Sequence, residues 1–463
     1  MKKRVLSVFL VLALVLSLCM VSAVAGEEPE ENSQTAEVAE SDPATVEGTL
    51  DGENKEEEVP PVYLAGPDKE PEADPETGAL LEEVTIVPDE AGTVTFANLE
   101  RRLREGNLQL LAIEERVQII EDIDYDELYE DLREQINEIA SMQWGIVTTP
   151  AEFLGGEYEK AKSYDSLDQA YDALRETFDA IKDGELQEDN ADIVWQLNSL
   201  EDQIVMAGEA LYVALAGMEI QEVGVQRQLA AMNRTVEEME LRYNMGQISA
   251  LQLSEAKAGQ AALASGLETL RMNIKNYKLQ LEMLIGAELT GEIQLGLMPE
   301  VTAEELETMK LEEDLLAAKA NSYALHEAAL TLEDEKEAYK DAGGDGYSRP
   351  EKYEYKKAKH IWNAAQYAYN NTIQEFELKF RSLHAQVNDG YQIWEAAKVS
   401  LESEKLAFAA SEMKYQQGTI SQNAYLTAQD DLNAAEEKVK TAANELFSTY
   451  NTYCWAVQHG ILN

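Results

Sequence analysis

Residues 242–253, RYNMGQISALQL, have a second copy at residues 414–425, KYQQGTISQNAY. Each copy lies between two long amphipathic runs and reads as the tip of a helical hairpin. Gly246 and Gly418 stand where a helix leaves through a left-handed residue, a conformation glycine adopts without a Cβ penalty. Ser249 and Ser421 suit the N-cap of the returning helix. Ile248 and Ile420 precede these caps, and Leu253 and Tyr425 follow four residues after them, at hydrophobic-staple spacing. Gln252 completes a capping box in the first copy; Ala424 cannot in the second. The tips stand 172 positions apart and match at Tyr243 and Tyr415, then at the paired glycines, isoleucines and serines. One tip would be an ordinary αα-hairpin; the duplication predicts two in tandem.

The helices returning from the tips carry the clearest periodicity. Leu253, Ala256, Gln260, Leu263, Leu267, Leu270, Ile274, Tyr277, Leu281 and Leu284 alternate 3 and 4 apart. So do Tyr425, Ala428, Leu432, Ala435, Val439, Ala442, Leu446, Thr449, Tyr453 and Ala456. This is a coiled-coil seam with one polar gap per copy, Gln260 and Thr449. Leu229, Met232, Val236, Met239 and Tyr243 answer it on the first descending helix. Descending helices over residues 192–243 and 361–415 span about 75 and 80 Å at the α-helical rise. Seams rich in alanine bury little area, so the elongated, thin-cored rod they predict calls for neighbouring copies.

Beyond residue 90 the only prolines are Pro150, Pro299 and Pro350, which mark breaks in a helical chain. Pro299 separates the two tip-bearing halves. The expected organisation is a signal peptide over residues 1–25, an acidic linker over 26–90, and helical repeats over 91–298 and 299–463. The signal reading rests on Lys2, Lys3 and Arg4, the short apolar run at 5–20, and Ala23-Val24-Ala25. Cys19 is preceded by Leu18, where a lipoprotein signal carries a small residue, so cleavage after Ala25 is expected. Cys454 is then the one thiol of the exported chain, expected as a small buried residue with no disulfide partner. Residues 26–90 hold 22 acidic residues against two lysines, a composition expected to stay disordered. The formal charge of −52 argues against nucleic acid and anionic lipid as partners and suits a solvated surface.

Duplicated hairpins with a Tyr-x-x-Gly-x-Ile-Ser tip resemble the TolC-like outer-membrane efflux proteins. Val94-Thr95-Phe96, followed by Leu103-Arg104-Glu105-Gly106-Asn107-Leu108, resembles that family's opening helix and turn. Lys319-Ala320-Asn321-Ser322-Tyr323-Ala324-Leu325 resembles its counterpart in the second half. The resemblance runs from about residue 92 to 460. It implies a homotrimer in which each copy lends two hairpins to a tunnel and four strands to a membrane β-barrel. It also implies that Tyr243, Gly246, Ile248, Ser249, Tyr415, Gly418, Ile420 and Ser421 meet a periplasmic-adaptor-like protein or gate the tunnel. The barrel strands are the point of departure. Residues 339–350 are too few for two membrane strands and a turn, and residues 141–190 lack the alternating lipid-facing pattern. An all-α fold without the barrel is therefore expected, with no membrane insertion through strands.

No enzymatic constellation emerges. His326, His360, His384 and His459 lack metal-ligand spacing and read as surface or seam residues. Residues 341–347, DAGGDGY, lack the alternating ligands of a calcium loop and read as a glycine-rich turn. No nucleophile elbow, phosphate loop or dinucleotide fingerprint is present, and neither cofactor nor metal is expected. Trp195, Trp362 and Trp394 read as core or inter-copy anchors. The leading expectation is a non-catalytic, extracytoplasmic export component, an oligomeric helical tube or docking element of the cell envelope. The alternative is a coiled-coil scaffold or envelope spacer without transport.

Overall fold

The structure, a computed structural model, describes residues 89–90, 92–344 and 353–462. The expected signal peptide, nearly all of the acidic linker, Pro350 and the end of the 341–347 turn lie outside them. In chain order the elements are β1 (Thr93–Val94), α1 (Phe96–Gly106), α2 (Leu108–Glu121), α3 (Tyr125–Thr148) and α4 (Glu157–Asp183). They continue as α5 (Glu185–Asn244), α6 (Ala250–Leu284), β2 (Gln294–Leu295), α7 (Ala303–Thr308) and α8 (Leu311–Ala320). The last three are α9 (Tyr323–Gly344), α10 (Tyr353–Gln416) and α11 (Gln422–His459). The fold is all-α. Its sheet is a single parallel pairing, Thr93 with Gln294 and Val94 with Leu295, and no barrel is seen among the described residues.

Two compact units are present. The larger comprises residues 81–329 and 368–463; the described residues of the other fall within 330–367. In the smaller unit Tyr339 stacks on Trp362 at 5.1 Å between ring centroids, and its hydroxyl meets that of Tyr355.

The larger unit is built around α5, 60 residues or about 90 Å of helix. It begins earlier than the residue-192 start read from the sequence, because a glycine sets the start. Gly184, at φ 83°, ends α4 in the left-handed region and α5 starts directly after it. On one side α5 packs antiparallel to α6, through Arg271–Glu222, Lys278–Glu219 and Lys257–Glu240 and through Gln260 Nε2 donating to Asn233. The polar gap in the first seam is thus a matched hydrogen bond. On its other side α5 packs antiparallel to α11, and α11 in turn meets α10 around Phe380, Tyr453 and Leu446. The order is α6–α5–α11–α10. Every seam residue of α6 and α11 is buried or half-buried, as 3,4 spacing requires. Because α5 is covered on two sides, it carries an apolar window of mean hydropathy 1.3, long enough by composition to cross a membrane. Its Val205, Tyr212, Val213 and Leu215 are core residues instead.

Backbone contacts close this bundle at the end remote from the tips. Asn107 ends α1 and caps α2, its side chain accepting from Gln109 N at 2.8 Å and Leu110 N at 3.3 Å. Gly106, just before it, lies against the carbonyl of Ile285 at the end of α6. The second half repeats the device: Ser322, after the turn at Asn321, lies against Gly460 at the end of α11. The two opening motifs are therefore paired with the glycines that terminate the returning helices. At the edge of the acidic segment, Asp89 accepts from Thr95 Oγ1 at 2.7 Å and Asn98 Nδ2 at 2.8 Å and pairs with Arg102, fixing the start of α1.

Most of residues 141–190, the first interval too poor in alternation for membrane strands, belongs to the α3–α4 hairpin. It has a small core of its own, Leu132, Ile136, Phe178 and Ile181, with Tyr129 stacked on Phe178 at 4.4 Å.

Candidate functional site

Both tips close as their sequences dictate. In the first, Gln247 N donates to Arg242 O and Gly246 N to Tyr243 O, each at 2.8 Å, with Gly246 at φ 75°. In the second, Thr419 N donates to Lys414 O at 2.9 Å and Gly418 N to Tyr415 O at 2.8 Å, with Gly418 at φ 70°. These are paired Schellman closures, which satisfy the last carbonyls of α5 and α10. Ser249 Oγ then accepts from Gln252 N while Gln252 Oε1 accepts from Ser249 N, completing the capping box. Ser421 Oγ accepts from Ala424 N without a reciprocal partner.

The tips differ in their packing. Tyr425 stacks on Tyr415 at 4.8 Å and meets Phe408 at 5.6 Å. The matching places in the first tip hold Leu253, Tyr243 and Val236. Ile248 and Ile420 are half-buried, whereas Gly246, Ser249, Gly418 and Ser421 are exposed. Tyr243 and Tyr415 are 42% and 38% exposed, and a Cβ on either glycine would meet open space.

What brings the tips together was not read from the sequence. A polar ladder joins α5 to α11: Arg227 to Glu437, Arg234 to Asp430, and Asn423 Nδ2 to Glu238 at 3.2 Å. The residue numbers in each rung sum to nearly the same value, so the two helices run in register down to adjacent tips. Arg227 and Arg234 are seven apart, as are Glu437 and Asp430. That complementary heptad was the available signal.

The same interface ends in a buried network. Glu209 Oε2 accepts from Trp455 Nε1 at 2.6 Å and Asn451 Nδ2 at 2.7 Å. The Trp455 ring lies 4.5 Å from that of His459, whose Nδ1 meets Asp202; Arg104 bridges Asp202 to Glu100 and Glu201. His326 similarly pairs with Asp192 beneath Trp195. Trp195, Trp362 and Trp394 are all half-buried, and Lys398 Nζ sits 3.6 Å over the Trp394 ring. Cys454 is partly buried beside Tyr450, and burial raises its thiol pKa. No cluster of three or more metal-ligating side chains occurs among the described residues.

Burial raises the Glu209 carboxyl above its ordinary 4.5, outweighing the two donors that favour its charge. A raised folded-state pKa contributes stability present below the unfolded value and lost as pH rises through the folded one. The wild type's resistance to denaturation should therefore fall from mild acid toward neutral pH. Glu209→Gln, which can still accept from Trp455, should flatten that trend; an unchanged slope would rule Glu209 out as its source.

No protein-family model matches the chain, and neither does any curated protein. Among solved structures, the CmeC outer membrane channel of Campylobacter jejuni is 14% identical, with 62% of this chain and 68% of that one covered at a TM-score of 0.44. For VceC of Vibrio cholerae the figures are 14%, 78% and 96%, and 0.43; for the outer-membrane channel OprN they are 15%, 79% and 90%, and 0.46. The chain is structurally similar to TolC-family outer-membrane channels.

Proposed function

We propose that the chain is a non-catalytic export component of the cell envelope. Copies of it join through the outer edges of α6 and α10 into a helical tube, three being the number the resemblance implies. The repeats over 91–298 and 299–463 each contribute one hairpin, and the paired tips around Gly246 and Gly418 dock a partner protein.

The observation that carries this reading is a pair of unpartnered stripes on opposite edges of one unit. On α6, Leu251 and Met272 are 67% and 59% exposed and lie in a seven-residue repeat through Ala258, Ser265 and Leu279. On α10, Val399, Leu406 and Met413 are 71%, 75% and 57% exposed at the same spacing. Each stripe lies on the face opposite the helix's inward seam. Leu251 stands five residues after Gly246 and Met413 five before Gly418, so antiparallel edges of two copies meet in register when their tips are level. The edges differ, so the contact is heterologous and repeats until a ring closes.

Light scattering in detergent-free buffer tests this. The wild type should have the mass of a multimer, and Met272→Glu with Leu406→Glu should reduce it to a single chain with helicity unchanged. A wild-type monomer at micromolar concentration would sink the tube. Removing residues 245–248 and 417–420 should abolish export while assembly persists. Continued export would leave only the spacer role.

A further inference from the structure

The turn joining α3 to α4 is unlike the rest of the molecule. Residues 139–156 contain one charged side chain, Glu152, in a chain whose formal charge is −52. Trp144, Phe153 and Tyr158 are 70%, 80% and 76% exposed there, with Met142 and Val147 beside them. The hairpin is tied to α5 at its base, through Asn190 Nδ2 donating to the Tyr125 hydroxyl and Leu186 packing on its small core. Helix α4 holds 27 residues, so about 40 Å of helix separates that base from the turn.

Part of the turn's backbone is paired from within. Thr148 Oγ1 donates to Trp144 O at 2.9 Å and Thr149 Oγ1 to Gly145 O at 2.7 Å, a second donor to Gly145 O beside Thr149 N, in the last turn of α3. Lys160 Nζ donates to Val147 O at 3.1 Å and Thr149 O at 2.8 Å. Phe153 N and Gly156 N donate to Pro150 O and Ala151 O. A turn in water gains little from such internal pairing. For a turn that leaves water each such pairing lowers the cost, because an unpaired backbone group in an apolar medium is costly.

We propose that this turn seats in the headgroup–hydrocarbon boundary of an electrically neutral lipid surface. Trp and Tyr favour that boundary, where an apolar ring and a polar tip are both accommodated, and Phe153 and Val147 supply apolar area below it. Charge selects the surface. The turn brings almost no charge of its own, while the acidic body behind it is repelled by anionic headgroups within a Debye length or so. Glu152 and Glu157 limit the depth to the boundary. This surface is separate from the hairpin tips and does not depend on the tube.

The test uses the full chain with phosphatidylcholine vesicles carrying brominated acyl chains, and reads Trp144 emission as the difference between wild type and Trp144→Phe. The readout is local, so lipid binding elsewhere in the chain does not enter it. Neutral vesicles should quench Trp144, and replacing a third of the lipid by phosphatidylglycerol should weaken quenching. Phe153→Ser with Tyr158→Ser should lower partitioning about tenfold or more. Leu297→Ser, at another exposed site, should leave it unchanged. Unquenched Trp144, or equal quenching in the double variant, would overturn the proposal. So would a double variant that loses mass in light scattering without vesicles, since the turn would then contact a second copy.

Discussion

Gly106→Ala is expected to destabilise the larger unit by about 3 kcal/mol or more, the range of overpacking against atoms that cannot move aside. A Cβ at Gly106 would lie 2.1 Å from the carbonyl oxygen of Ile285 and 2.6 Å from its carbonyl carbon. Those are backbone atoms, so no rotamer change relieves the contact. The partner is equally constrained. Gly286 adopts φ 65°, and a Cβ there would lie 2.4 Å from Gly106 O. Two glycines thus face each other where α1 ends and α6 ends, and either substitution should lower the urea midpoint sharply. Gly145→Ala is the internal control. It is helical, exposed and has nothing within 4 Å of the added carbon, so a gain of about 0.5–1 kcal/mol is expected. Equal midpoints for Gly106→Ala and wild type would show that the helix ends separate readily and that this contact holds nothing.

The second large effect is expected at Glu282. Its carboxylate is 2% exposed and gathers the loop that follows α6. It accepts from Thr290 N and Gly291 N at 2.7 Å, Thr290 Oγ1 at 2.8 Å, and Glu292 N and Ile293 N at 3.2 Å. Glu282→Ala strands these donors near a buried position, at a cost of about 3 kcal/mol or more. Burial works to raise the carboxyl pKa, but the donors from Gly291 and Thr290 prevail and hold it below the ordinary value. The sign is therefore opposite to that at Glu209. Stability from Glu282 is present above the unfolded pKa and is lost as pH falls through the folded one. Glu282→Gln, with an amide donor aimed at backbone donors, should be destabilised at neutral pH, and its deficit should shrink in strong acid. A deficit independent of pH would mean that shape, not charge, holds the loop.

Much of the architecture was legible in the sequence because it is written in residues close together. The Schellman closures at Gly246 and Gly418, the capping box of Ser249 with Gln252, and the 3,4 seams of α6 and α11 each depend on a few positions along one or two helices. The turn at Asn107 was likewise visible as a motif, though its cause, a side chain capping Gln109 and Leu110, was not. The start of the first descending helix at Glu185 was not legible, because Gly184 lies between two acidic helical runs and resembles an interior residue of either.

The sequence by itself determined that two helical hairpins exist, where they turn and which stripe each buries, since cap chemistry and helical periodicity act within one turn or one helix. Only the tertiary structure decided the order α6–α5–α11–α10, the level pairing of the tips, and the partners of Glu209, Gly106 and Asp202. These are contacts between residues far apart in the chain, 97 positions for Arg104 with Glu201 and 257 for His459 with Asp202. They arise when separately formed helices choose a neighbour and a register. Local propensity carries no information about that choice; shape and charge across the completed interface do.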